Sequence, residues 1–220
     1  MGALPPLIDF YCGALGMEQL KADQEEFAVA AGETRLEFRA NDDDPFYHFA
    51  ILAPGNRFPA ALAWLQRSVP LLPDRSTGEV DFEFGAWAAR ACYFHDPAGN
   101  IVELIAHRGM GKTSKTGSFT ADELLGLSEL GLVGFHLPAM ARALEQRLAL
   151  RLWDGTVAGA GSLAFVGEKG RTLILCPAGR PWLPTGRPAE SHPVEATASG
   201  PPEGEVLLCG GRFRIARTDA

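Results

Sequence analysis

The sequence predicts an α+β fold, built from copies of one strand–helix–strand–strand–strand unit about 50 residues long. Three observations lead there. Amphipathic helical stretches recur at 5–16, 54–69 and 138–150. Short segments of alternating apolar and polar residues follow each of them. Gly-, Pro- and Asp-rich turns separate these segments, as antiparallel connections require.

The elements follow in chain order. PPLIDFYCGALG (5–16) reads as a helix with proline in its first turn, where no amide hydrogen is needed. Leu7, Phe10, Tyr11 and Leu15 share one face, and Gly16 suits the C-terminal stop. EEFAVAA (25–31) and ETRLEFR (33–39) read as strands around Gly32, the second with Leu36 and Phe38 on one face and Arg35, Glu37 and Arg39 on the other. The pattern then restarts with a strand at 46–52 and a helix at 54–69, for which Asn56 is the expected N-cap. Strands follow at 80–86, 90–95 and 101–107. Asp96-Pro97-Ala98-Gly99-Asn100 joins the last two as a tight turn.

GMGKTSKTGSFT (109–120) has linker composition. Thr120 and Glu123 have the spacing of a capping box before ADELLGL. A third unit begins with a strand at 128–135 and a helix at 138–150, followed by strands at 162–167 and 171–177. The remainder, with strands expected at 192–199, 205–210 and 211–217, has no helix and reads as a degenerate fourth copy.

Composition excludes several classes of function. The 220-residue chain is 46% apolar and 21% charged, as a soluble globular protein is. Its net charge of −7 argues against nucleic-acid binding, which needs a basic face. No apolar run is long enough for a membrane span, and the N-terminus lacks the pattern of a secretory signal, so a cytoplasmic location is expected. The four cysteines form no CxxC pair and read as free thiols. GMGKT lacks the first glycine of a phosphate-binding loop, Ala106 standing there, and no helix follows it.

Three segments carry a family resemblance. They are FYCGALG in the first helix, YHFAI at 47–51, and YFHDPAGN followed by IVELI at 93–105. Together they resemble the vicinal oxygen chelate superfamily, which includes glyoxalases, extradiol dioxygenases and bleomycin-resistance proteins. The resemblance is good over 5–107 and weaker over 128–217. It implies paired βαβββ modules forming open barrel-like mixed sheets around a divalent metal. It divides the chain into a domain of two modules at 1–108, a linker at 109–120, and a second domain at 121–220 with one module and a degenerate one. The first strand of module one is missing: either an upstream extension supplies it, or the module exposes an edge that another segment or a second subunit should cover. A homodimer is compatible with this arrangement.

The resemblance also implies that metal ligands come from the first and last strands of a module. His48 and Glu103 hold those positions in module two, and Glu37 holds the last-strand position in module one. A neutral imidazole with carboxylates suits Zn, Fe, Mn or Ni. Independently of the resemblance, Glu103 shares a strand face with Ile101 and Ile105, where a carboxylate is costly unless paired or metal-bound. The alternatives are a Glu103 at a wet barrel mouth with a satisfied interior histidine at 48, and a Glu37 that merely pairs with Arg35 and Arg39. Glu37 and Glu103 are also the candidate catalytic bases. His107 is a candidate substrate contact. In the third unit the corresponding positions read Glu129 and Ile174, which implies a metal-free copy.

The functional expectation is a metal-dependent enzyme of the glyoxalase/dioxygenase type, acting on a small oxygen-rich molecule through chelation of vicinal oxygens. The alternative is a non-catalytic small-molecule binder of the bleomycin-resistance kind, with Trp64 and Trp87 as cleft walls.

Overall fold

The computed structural model describes residues 4–41, 43–159 and 161–219. The architecture is α+β, with open sheets, two of them mixed, and none closed into a barrel among the described residues. The chain divides into two compact units, 1–128 and 129–220.

The first unit opens with α1 (Leu4–Ile8), which continues as a π-helical turn over Asp9–Ala14. The wide turn is visible in the Leu15 N–H, which donates to the carbonyl five residues back, on Phe10 (3.0 Å). Gly16 ends the helix at φ +69°, the conformation expected of a glycine stop. Three antiparallel strands follow: β1 (Gln19–Ala22), β2 (Glu26–Ala31) and β3 (Thr34–Arg39). Among the described residues no strand precedes α1. Tyr11 stacks on Phe38 at 5.0 Å, and Phe38 on Phe27 at 6.0 Å, which joins helix and sheet through one aromatic layer.

The next module is complete. It contains β4 (His48–Leu52), α2 (Phe58–Ser68), β5 (Leu71–Leu72), β6 (Phe82–Phe84), β7 (Ala89–His95) and β8 (Ile101–His107). Within this unit the sheet order is β4-β8-β7-β5, with β6 also on β7. β4 runs parallel to β8, so the first strand of the module pairs with the last. α2 buries Phe58, Ala61, Trp64 and Leu65, the i, i+3, i+6, i+7 face of its apolar pattern.

Two expected helix caps form differently. Arg57, not Asn56, is the N-cap of α2, and it makes no side-chain cap bond. Asn56 instead bonds both backbone groups of Thr113 (2.8 and 3.2 Å), pinning the Gly/Ser-rich segment 109–120 to this unit. Thr120 also makes no side-chain cap bond; its partner in the expected box, Glu123, forms a buried bidentate pair with Arg57 (2.9 and 3.1 Å). In both cases a tertiary partner outcompetes the local backbone. Phe119 is buried in the same segment, 5.3 Å from Trp64.

β9 (Gly126–Gly134) crosses the boundary between the units. The second unit continues with α3 (Leu137–Leu148), β10 (Leu152–Gly155), β11 (Ala164–Glu168) and β12 (Arg171–Pro177), in the sheet order β10-β11-β12-β9. α3 buries Leu137, Met140, Leu144 and Leu148, and its N-terminus is capped by the His136 ring, which accepts from the Ala139 N–H at 3.3 Å. A final three-stranded sheet, β13-β15-β14, contains β13 (Val194–Ser199), β14 (Gly204–Leu208) and β15 (Phe213–Thr218). Among the described residues a short 3-10 turn, Cys209–Gly211, joins β14 to β15. The pairs β9–β12 and β13–β15 are parallel, as β4–β8 is. The repeated unit therefore has a constant signature, first strand parallel to last.

Candidate functional site

The site lies on one face of the β4-β8-β7-β6 sheet of the first unit. The parallel register sets His48 opposite Ile101 and Ala50 opposite Glu103, while the antiparallel hairpin sets Tyr93 opposite Glu103. Side chains alternate along each strand, so His48, Glu103 and Tyr93 project from the same face. The opposite face, with Phe49, Ile51, Val102, Leu104 and Phe94, is apolar and buried.

The hairpin motif DPAGN is the device that fixes this register. Asp96 Oδ1 accepts from the Ala98 and Asn100 N–H groups (both 3.0 Å), closing the turn. Gly99 sits at φ +77°, where a side chain would be strained. Asp96 Oδ2 accepts from Asn100 Nδ2 (2.8 Å) and from the Tyr11 hydroxyl (2.9 Å). The first helix is thereby tied to the hairpin, which explains why the FY helix and the DPAGN turn belong together. Burial pushes the Asp96 carboxyl upward despite these four donors, and pushes the Tyr11 hydroxyl well upward as well.

His48 is 6% exposed and Glu103 3%. The His48 Nδ1 bonds the Ile101 carbonyl at 2.9 Å, so this nitrogen carries the proton and donates. Burial lowers the imidazole to about 4, against the upward pull of that bond, so the ring is neutral near pH 7. Nε2 then presents a lone pair, and it lies 3.7 Å from Glu103 Oε2. That separation is too long for a direct hydrogen bond. It would let both atoms ligate a single divalent ion. The donor set, a neutral imidazole and a carboxylate, suits a borderline divalent cation. Among the described residues of this unit, no third His, Cys, Asp or Glu brings a ligand atom within 4.8 Å of both.

Glu37 lies elsewhere, on β3. Its Oε2 accepts from Arg35 (3.1 and 3.2 Å) and its Oε1 from Arg39 (3.1 Å). Both carboxylate oxygens are thus engaged by arginines on their own strand. His107 ends β8 on the site face, fully buried, with Trp87 at 6.5 Å between ring centroids. The remaining histidines have structural partners: His95 the Asn100 carbonyl, His136 the start of α3, His192 the Glu190 carboxylate.

Two features of the site escape a reading by residue type. Tyr93 is 3% exposed and its ring lies 6.3 Å from that of His48. Counting outward from the five-residue turn places Tyr93 opposite Glu103, and that count is the signal that finds it. Asn100 carries a second role, since its Oδ1 accepts from the Tyr47 N–H at 2.8 Å.

The second unit repeats the register with different chemistry. Glu129 stands opposite Thr172, and Ile174 follows two residues later. These match His48, Ile101 and Glu103. Burial pushes the Glu129 carboxyl up to about 7, and the Thr172 hydroxyl is buried without a hydrogen-bond partner. Ile174 offers no ligand atom.

No protein-family model and no curated protein sequence matches the chain. Solved structures do. A "putative dioxygenase" from Bacillus subtilis superposes with a TM-score of 0.59 at 17% identity, over 97% of this chain and 81% of that one. A point variant of glyoxalase I from Zea mays gives 0.57 at 14% identity, over 100% of this chain and 90% of that one. Another structure of glyoxalase I from Zea mays gives 0.50 at 17% identity, over 80% of this chain and 63% of that one. At such identities the likeness is one of fold. The fold of this chain is that of these dioxygenase and glyoxalase I structures.

Proposed function

We propose that the protein is a metal-dependent enzyme of the glyoxalase/dioxygenase type, acting on a small oxygen-rich molecule whose two neighbouring oxygens chelate a divalent ion. His48 and Glu103 are its protein ligands in the first unit. The observation that carries the reading is the buried pair itself: a neutral imidazole, its proton committed to Ile101, faces a carboxylate across 3.7 Å. A bound Zn, Fe, Mn or Ni ion would polarise the chelated oxygens as a Lewis acid. His48 holds its proton at Nδ1 and keeps Nε2 as the donor. Glu103 offers one oxygen as ligand and its second as a proton acceptor. Tyr93 and the flanking Ile101 and Ile105 keep water from the pair. Glu37, the remaining candidate ligand and base, has to exchange an arginine for the ion to take part.

A non-catalytic small-molecule binder is the second reading. It is favoured by the arginine clamp on Glu37, and by the edge-to-face stack of Phe82 on Tyr93 (4.9 Å), an aromatic wall on the same face as the pair.

Metal content decides between them. Purified protein incubated with Zn, Fe, Mn and Ni, then desalted, should retain one ion per site by elemental analysis. His48→Ala should lose it while keeping the wild-type circular dichroism spectrum. A wild-type protein that stays metal-free with all four ions, yet gains melting temperature with small aromatic ligands, would establish the binder instead.

A further inference from the structure

We infer that Asn100, oriented by Asp96, is a positioning residue that sets the ring of His48. Its purpose rests on the metal-site reading above; its geometry does not.

The side-chain amide of Asn100 is 2% exposed and bonded at both ends. Nδ2 donates to Asp96 Oδ2 at 2.8 Å, and Oδ1 accepts from the Tyr47 N–H at 2.8 Å. An ionised carboxylate can only accept and a backbone N–H can only donate, so these two partners leave the amide one orientation. The next residue completes the grip. The Ile101 N–H donates to the Tyr47 carbonyl at 2.8 Å, and the Ile101 carbonyl accepts from His48 Nδ1 at 2.9 Å. Residues 100 and 101 thus hold both backbone groups of the residue before His48, together with the ring itself. With Nδ1 committed to Ile101, Nε2 is the ring atom aimed at Glu103. The Tyr11 hydroxyl donates to the same Asp96 Oδ2 from the helix side, and without it the Asn100 amide still has its acceptor.

The test reads the His48 ring by 15N NMR in metal-free protein, and zinc affinity by competition with a chelator. Wild type should show the proton on Nδ1. Asn100→Asp keeps the shape and the acceptor for Tyr47 but sets two carboxylates face to face. It should broaden or shift the His48 ring signals and weaken zinc binding roughly 10- to 100-fold. Exchanging the pair, Asp96→Asn with Asn100→Asp, restores one donor against one acceptor and should recover most of both. Tyr11→Phe should lower the melting temperature while leaving both at wild-type values. If Asn100→Asp does not fold, Asp96→Asn alone reverses the amide from the other side and reads the same two quantities. The inference is overturned if wild-type His48 carries its proton on Nε2. It is equally overturned if the folded variants change only the melting temperature, or if the exchanged pair restores neither signal. A wild type that binds no zinc removes the metal-site reading, and the metal-free NMR series still decides the positioning role.

Discussion

Replacing Tyr11 with Phe removes one hydroxyl from the anchor between the first helix and the DPAGN hairpin. Tyr11 is fully buried, and its hydroxyl donates to Asp96 Oδ2 at 2.9 Å. The ring keeps its stack on Phe38 at 5.0 Å and its edge contact with Phe10 at 5.2 Å, so no cavity forms. Asp96 retains three donors: the Ala98 and Asn100 N–H groups and the Asn100 amide. The loss is therefore one hydrogen bond to a charged group, about 2 kcal/mol. For a protein of this size that lowers the melting temperature by roughly 4–8 °C. The deficit should also depend on pH. Burial raises the folded-state Asp96 carboxyl above its ordinary value, so the stability associated with Asp96 is full below the unfolded value and declines as pH rises through the folded one. The Tyr11 hydroxyl opposes that rise, and removing it raises the folded value further. The variant should therefore lose more relative to wild type at neutral pH than at pH 3. Calorimetry of both proteins across that range checks this. A shift below about 1 °C at pH 7, or a deficit that grows toward acid, would refute the reasoning.

Three more outcomes follow from the same interactions. The His48 imidazole is lowered to about 4 from an ordinary 6.5, so its stability contribution is full above pH 6.5 and lost as pH falls toward 4. That loss amounts to roughly 3 kcal/mol, and thermal melts of wild type against His48→Gln should show it as an acid-side dependence the variant lacks. Arg57 holds the Glu123 carboxyl below its ordinary value, so Glu123→Gln should lower the melting temperature at pH 7 and differ less from wild type in acid, as melts at the two pH values would show. Gly32 turns the β2–β3 hairpin at φ +57°, and a Cβ there would stand 2.4 Å from the Leu124 carbonyl oxygen. Gly32→Ala should cost more than 1 kcal/mol by urea denaturation, with the midpoint falling and the slope unchanged.

Local chemistry was enough to read the repeated modules. Pro at the helix starts, glycine at the stop and the hairpin turn, alternation in 33–39 and the apolar run at 101–107 each act within a few residues, and the helices, turns and strands form there. The strands missed were β1, exposed at all four residues, the two-residue β5, half-buried, and β10, exposed or half-buried throughout; none has a buried face, so none leaves an alternating pattern to read. His48 and Glu103 stood out by type, but 55 positions of sequence do not say that they meet. Only the parallel pairing of β4 with β8, its register set by Asn100 and Ile101, brings them onto one face. The same distance in sequence hid the true partners of Asn56, Glu123 and Tyr11, which are Thr113, Arg57 and Asp96. A side chain's nearest backbone is legible from sequence; the partner that displaces it is decided by packing, because a buried polar group bonds whatever the fold brings within 3 Å.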